Sequence, residues 1–536
     1  MSIDGTRSVG DPPGGGPSPG PAPPEAEATH SLTPIKVAIA FGGILLGTTL
    51  SGLDASIVAT AAPTLIAELG ELSLLPWLTT GYLLAQVTSM PVYGKLGDIY
   101  GRRRLFTLAI VVFLVASAAC GLSNSMPMLI GFRVLQGIGA GGITGLGMAL
   151  VADLVPAEKL GRYLGYTGLV FAATSVLGPF AGGMFVDHLS WRWAFYVNIP
   201  SGLICLAALL LQPKQLHYLR HRIDVAGAVL FAGAAGCLML GLSRGESGES
   251  WASPVALTYF AAAVALAVAF VWWEGRAPEP LVPLRILSTR ITALATASNL
   301  VAGFGFTVGI IYPPVFFQAV AGVSAASSGL LLAPFAFTCA VSTLLAGQLT
   351  DRVGGYKVIP LVGMGFLIAG YALLATIGAD TSAATVTVYA MVAGVGVGFV
   401  MQTLLYVVQR ASSATDMGVA TSTVMVARVL GSSIGVAVVG SVFTSRLLSE
   451  VAIRLPGFAP ADVQGDPQRV AALPAEVQVE VVDSFAIGLS SAFAVAVPIM
   501  IVGLVLVVLL PGRRVAELVE AGGGEAPSAD TTAHVM

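Results

Sequence analysis

The stretch GKLGDIYGRRR, Gly94 to Arg104, follows an apolar segment and returns in weaker form as GQLTDRVGGYK, Gly347 to Lys357. Both copies read Gly-x-Leu-x-Asp-x-x-Gly with a basic residue close behind. Two Gly/Asp/basic loops alike by chance would have to agree in spacing and in position along the chain; a duplicated unit gives both at once. The repeat therefore predicts two related halves. Glycines permit a tight turn, Asp98 can cap or face the positive N-terminus of the following helix, and Arg102, Arg103 and Arg104 hold the loop on the cytoplasmic side.

Outward from this turn, the composition sets the medium. The 536 residues are 55% hydrophobic and 10% charged, with a mean hydropathy of +0.85. Ordinary soluble domains carry about 25% charged residues, so this chain cannot clothe a water-facing surface and is read as an integral membrane protein in contact with the lipid bilayer. A net charge of −3 points to no nucleic acid. Cys120, Cys205, Cys237 and Cys339 lie in apolar segments without CxxC or Cys/His spacing, so neither a disulfide nor a metal set is expected.

Apolar windows of about twenty residues separated by short polar breaks mark membrane helices. Fourteen are expected, at 35–57, 74–94, 105–123, 126–151, 163–187, 193–212, 224–243, 252–274, 291–319, 326–350, 358–378, 384–408, 416–446 and 485–511. The expected fold is all-α: a six-helix half over 35–212, an inserted two-helix linker over 213–285 and a second six-helix half over 286–511. Pro/Gly-rich 1–34 and 512–536 read as disordered tails. An outer segment of about 447–484 reads as a linker or a small amphipathic extension. With both termini in the cytoplasm, 19 Lys and Arg fall on the inner side and 5 on the outer side, and Arg133 and Arg428 fall within the bilayer. The chain is accordingly placed as a multi-pass protein of the cell inner (plasma) membrane with both termini cytoplasmic.

Three ionisable residues sit at membrane depth and need a reason. Asp54, in SGLDASIVATAAP, and Arg133, in GFRVLQGIGAGG, approach the same outer side from spans 1 and 4, so a direct or water-mediated interaction is expected. Burial raises a carboxyl pKa and an adjacent arginine lowers it, a balance suited to proton coupling or cation recognition; a static lock between two helices is the structural alternative. Arg428 has no obvious carboxylate partner. It can bond carbonyls, stack on Tyr406 or face a watery cavity. Gln86, Gln136, Asn299, Tyr312, Gln318, Gln402 and Tyr406, with Arg428, are candidate cavity-lining groups; helix–helix hydrogen bonding is the rival role for each.

GKLGDIYGRRR resembles the signature loop of the major facilitator superfamily. Fourteen spans, with LDASIVATAAP, RVLQGIGAGG, VLGPFAGG and WRWAFYVNIPSG in order, make the chain similar to the fourteen-helix drug:proton antiporters. The resemblance implies a proton-coupled role for Asp54 and Arg133, and alternating access gated by Gly94, Asp98, Gly101, Arg102, Arg103 and Asp351. It also implies a bent, tightly packed fifth helix at Gly178, Pro179, Gly182 and Gly183. Two positions depart from the pattern: Ala59 stands where the family has Asn, and Thr174 replaces the leading Gly of the fifth-helix motif.

Without a Walker loop, a His cluster or a catalytic constellation, no enzyme activity, cofactor or metal is expected, and an ion gradient is left as the energy source. The expected activity is export of hydrophobic or amphipathic drugs against protons, by a chain working as a monomer. A dedicated exporter of one metabolite or lipid, and a non-transporting scaffold or receptor, are the alternatives.

Overall fold

Hydrocarbon offers a peptide group no hydrogen-bond partner, so a chain of this composition must satisfy its backbone internally. The computed structural model describes residues 34–69, 75–155, 188–209, 224–246, 251–278, 280–282, 284–353, 356–413, 416–455 and 475–512, together with scattered positions between 159 and 185. Its described secondary structure is α-helical. The first half contains α1 (Pro34–Leu69), α2 (Leu75–Tyr100), α3 (Arg102–Gly121), α4 (Met126–Leu154), the short α5 (Trp193–Tyr196) and α6 (Asn198–Leu209). Next come α7 (Val225–Glu246), α8 (Pro254–Glu274) and the short α9 (Leu284–Ser288). The second half contains α10 (Arg290–Ala319), α11 (Ala325–Val353), α12 (Val358–Leu374), α13 (Ala383–Ala411), α14 (Met417–Arg454) and α15 (Ala475–Val508).

Among the described residues, ten helices are long and apolar enough to cross a membrane, with shorter apolar helices at Trp193–Leu209 and Val358–Leu374. Expected span 163–187 is described only in part, and the tails lie outside the described residues apart from Pro34 and Gly512.

The repeat seen in the basic turn extends to helix packing. In the first half α4 packs against α1, α2 and α3; in the second, α13 packs against α10, α11 and α12. Likewise α6 packs on α1 and α3, as α15 does on α10 and α12. The halves meet where α14 crosses α2 and α4. Of the inserted pair, α8 packs on α7, while α7 also lies against α2 and α14. Only Ala256, Ala263 and Glu274 of α8 are buried, so an apolar helix presents most of its surface outward, as suits lipid. Ser253 caps α8 through Ala256 N (3.2 Å), and Trp273 Nε1 donates to Asp224 Oδ1 (2.9 Å).

Three sequence expectations gain detail. The helix that carries the first span continues past 57: α1 runs to Leu69, and Trp191 Nε1 (2.8 Å) and Arg192 (3.2 Å) hold Glu68 in its last turn. Within the expected outer segment 447–484, α14 continues to Arg454 and α15 begins at Ala475. Arg454 clamps the two extensions together through Glu450 (3.3 Å), Glu480 (3.0 Å) and Asp483 (3.3 Å). The intervening 456–474, which would decide between linker and extension, lies outside the described residues. Finally, the basic turn is one residue long. Gly94 and Asp98 are helical, and Gly101 alone makes the corner, at φ +93°, where an L side chain is strained.

Close crossings rely on missing side chains. A Cβ on Gly431 would lie 1.9 Å from Leu300 O, and one on Gly303 would lie 2.1 Å from Arg428 O, so α10 and α14 touch backbone to backbone. Such contact is how helices associate where water gives no hydrophobic drive. Gly431→Ala is therefore expected to lower stability by about 1–3 kcal/mol, the usual cost of overpacking. Thermal unfolding in detergent measures it; an unchanged midpoint would contradict the crossing.

Candidate functional site

Asp54 lies mid-way along α1 and is 0% exposed; Arg133, two turns into α4, is 1% exposed. A lone charge at such a place costs about 2.5–3.5 kcal/mol on membrane-insertion scales, and the fold answers with a closed network. Arg133 NH1 contacts Asp54 Oδ2 directly. Asp54 Oδ1 accepts from Gln136 Nε2 and Asn198 Nδ2, both at 2.8 Å. Arg133 NH1 also donates to Gln136 Oε1 (2.6 Å). Ser117 Oγ accepts from Gln136 Nε2 (2.6 Å) and Asn198 Nδ2 (3.1 Å). The guanidinium carbon stands 4.0 Å from the centre of the Tyr82 ring, a cation–π contact. One carboxylate thus gathers α1, α2, α3, α4 and α6.

The expected Asp54–Arg133 pair is direct. Gln136, expected to line a cavity, instead belongs to this network: it lies one turn beyond Arg133 on α4 and shares its face. Asn198, Ser117 and Tyr82 were not among the expected site residues. Asn198 carried a legible signal, an amide inside the apolar stretch WRWAFYVNIPSG; Ser117 and Tyr82 carried none that separates them from other serines and tyrosines.

Between the halves lies a cavity of about 220 Å³. The first half contributes Thr48, Thr49, Ser51 and Gly52 from α1, Tyr82 and Gln86 from α2, Thr144 and Met148 from α4, and Thr167 and Thr174. The second contributes Phe306 from α10, Ala336, Cys339 and Thr343 from α11, Val397, Met401 and Gln402 from α13, and Arg428, Val429 and Ser432 from α14. Asp54 is not in the lining. Tyr82 is, so its ring is the partition between cavity and ion pair, and its hydroxyl donates to Ser51 O (3.3 Å), one turn before Asp54.

Gln86, Gln402 and Arg428 line the cavity as expected; the remaining candidates do not. Asn299 is buried and donates to Ala295 O (3.4 Å) on its own helix. Tyr312 donates to Val436 O (2.9 Å), joining α10 to α14. Gln318 donates to Ser328 (3.1 Å), joining α10 to α11. Tyr406 has Arg410, rather than Arg428, 6.0 Å from its ring centre.

The halves are held shut at the end of the bundle that carries the basic turn. Asp98 does not cap the following α3. It accepts from Gly418 N (3.2 Å) and Val419 N (3.1 Å), the opening amides of α14 in the other half, where the helix dipole favours an anion. Arg102 binds Asp98 (2.8 Å) and Asp153 on α4 (2.5 Å), which orients the carboxylate. Gly94 permits the approach: a Cβ there would lie 2.4 Å from Ser422 Oγ. Gln409 adds a bond to Met148 O (3.1 Å), and Gln402 one to Thr167 Oγ1 (3.1 Å). Arg103 is partly buried in the first turn of α3. Asp351 occupies the last turn of α11. Its side chain, like Pro179 and Gly183, lies outside the described residues, whereas Gly178 and Gly182 are helical and buried.

Residues 44–436 match the Major Facilitator Superfamily. The uncharacterized MFS-type transporter Rv1877 of Mycobacterium tuberculosis is 36% identical over 488 residues, covering 89% of this chain and 70% of that protein. Multidrug transporter protein MdtP of Bacillus subtilis is 34% identical over 75% of each chain. Multidrug resistance protein 3 of the same organism is 31% identical over 88% of this chain and 95% of its own length. Among solved structures, a double-tryptophan mutant of XylE aligns with a TM-score of 0.61 at 15% identity, over 91% of this chain and 98% of that one. The human organic anion transporter MFSD10 aligns at 0.57 and 16%, over 91% and 100%. At these identities the two structures speak to the fold alone.

Asp54→Asn leaves Arg133 charged and enclosed, and is expected to cost about 3–5 kcal/mol of stability; Asp54→Asn with Arg133→Gln is expected to recover most of it. Thermal unfolding of the four proteins tests the pairing. A double variant weaker than both singles would contradict it.

Proposed function

The chain belongs to the major facilitator superfamily, a membrane-embedded class of secondary transporters working by alternating access, and on that premise we propose that it is a proton-coupled antiporter exporting hydrophobic or amphipathic compounds from the cytoplasm. The observation that carries this reading is a buried, fully bonded carboxylate one helical turn from the wall of a cavity shared by both halves. Kinship with two proteins named as multidrug transporters supports the outward direction and the drug-like substrates.

In this proposal Asp54 is held by Arg133, Gln136 and Asn198 in the state described. A proton reaching it past Tyr82 and Ser51 removes the charge that binds α1 to α4, and Arg133 turns to its remaining partners, Gln136 Oε1, Leu78 O and the Tyr82 face. Ser51 and Tyr82 carry the change to the cavity wall. The basic-turn end is the cytoplasmic one, as the distribution of Lys and Arg favours. Asp98 at the opening amides of α14 is then the inner gate, with Gly94, Gly101, Arg102 and Arg103 shaping it and Asp351 in the corresponding place of the second half. Gly178, Pro179, Gly182 and Gly183 supply the close packing that lets the fifth span rock. The arrangement proposed is fourteen spans, six in each half plus the inserted pair, in a monomer of the plasma membrane with both termini inside.

Reconstitution into liposomes tests this. An inward-directed proton gradient is expected to drive an amphipathic fluorescent drug in wild type and Asp54→Glu, and to drive at least ten-fold less in Asp54→Asn that retains a cooperative melt and a monodisperse profile. Undiminished gradient-driven transport in Asp54→Asn would remove Asp54 from the coupling. A panel accepting a single compound would favour a dedicated exporter over a multidrug one.

A further inference from the structure

We propose that the cavity between the halves selects amphipathic organic anions, compounds with an apolar body and one carboxylate or sulfonate, and that Arg428 is the group that binds the anion. This deepens the reading above and rests on it in one respect, that the cavity is the substrate site.

The two arginines at membrane depth have opposite surroundings. Arg133 is enclosed with a carboxylate, an amide and an aromatic face. Arg428 lines the cavity and, among the described residues, makes no hydrogen bond and no ion pair. Gly303 packs closely on its backbone; a Cβ there would meet Arg428 O. The guanidinium is thus a cation in a low-dielectric space with no neutralising carboxylate among the described residues.

No described aspartate or glutamate lines the cavity. Asp54, expected from the sequence to recognise cations, has its oxygens occupied by Arg133, Gln136 and Asn198 and lies behind Tyr82. The rest of the lining is uncharged. Gln86, Gln402 and threonine hydroxyls offer neutral hydrogen bonds, and Phe306, Val397, Met401 and Val429 offer apolar contact.

This charge pattern discriminates by sign. An organic cation would lose its water against an uncompensated guanidinium, with like charges in a medium that screens poorly. An anion neutralises that guanidinium, and its two coplanar oxygens match the guanidinium fork in a bidentate, charge-assisted pair. A neutral compound of the same shape gains the apolar contacts and leaves Arg428 as it was. Selectivity for charge therefore belongs to Arg428 on α14, while Asp54 on α1 stays free to serve the proton.

Three probes sharing one naphthalene body test the proposal: 4-(1-naphthyl)butyrate, 4-(1-naphthyl)butanol and 4-(1-naphthyl)butyltrimethylammonium. Equilibrium dialysis against the full chain in lipid nanodiscs, with empty nanodiscs subtracted, gives each affinity. The butyrate is expected to bind at least ten-fold more tightly than the alcohol or the ammonium. Arg428→Gln is expected to weaken the butyrate about ten-fold and the alcohol less than three-fold, and Arg428→Lys to keep the preference for anion over cation. Ammonium binding equal to or tighter than butyrate binding in wild type overturns the proposal while leaving the substrate cavity standing. So does an Arg428→Gln loss equal for all three probes, which a purely structural arginine would give. Binding of none of the three by a folded, cooperatively melting wild type overturns the cavity reading and this proposal with it.

Discussion

One carboxylate organises the first half. Asp54 sits where water cannot reach it, so each of its lone pairs must be met by protein, and the donors that meet them arrive from α4 and α6 with Ser117 of α3 bridging behind. This is a demanding requirement, because buried polar networks stabilise only when every member is bonded. Meeting it fixes the rotation of α1, α4 and α6 about their own axes, which apolar packing against lipid-like surfaces leaves loosely determined. The cavity wall inherits that precision through Ser51 and Tyr82, one turn and one ring away from the ion pair.

Among its described residues the second half has no comparable centre. It is held by close backbone contacts, at Gly303 and Gly431 between α10 and α14 and at Gly396 and Gly363 between α13 and α12. The first half has such crossings too, at Gly137 and Gly141 against α2 and Gly139 against α3, and adds the buried ion pair to them. Arg428 of the second half lines the cavity, whereas the Asp54–Arg133 pair of the first half lies behind Tyr82.

Much of this was legible in the sequence. The two Gly-x-Leu-x-Asp turns announced the duplication, and the packing of α4 and α13 on their three neighbours is the same duplication in space. Asp54, Arg133 and Arg428 stood out because a charge in an apolar run is conspicuous wherever it points. Uncharged polar residues, Asn198 apart, gave no such signal. Gln136, Asn299, Tyr312 and Gln318 were grouped as cavity candidates, yet one joined the ion pair, one bonds its own helix and two tie neighbouring helices. A helix that is apolar on all sides carries little record of which face meets lipid, protein or cavity, so residue type alone could not sort them. Asp98 was assigned to the adjacent α3 because proximity in sequence is the only proximity a sequence displays. Its partners, Gly418 and Val419, are more than three hundred residues away.

The placement of α7 has a mechanical consequence. It lies along α2 and α14, which belong to different halves and are the two helices joined by Asp98. If the halves rock apart at that latch, α7 must slide over one of them or detach from it. Of its glycines, Gly236 faces α2, where even a Cβ would only touch Leu84, at 3.5 Å, whereas Gly233 and Gly241 lie against Leu266 and Phe260 of α8. In such a motion the inserted pair would act as a bearing, with the outward-facing α8 keeping α7 seated against the seam.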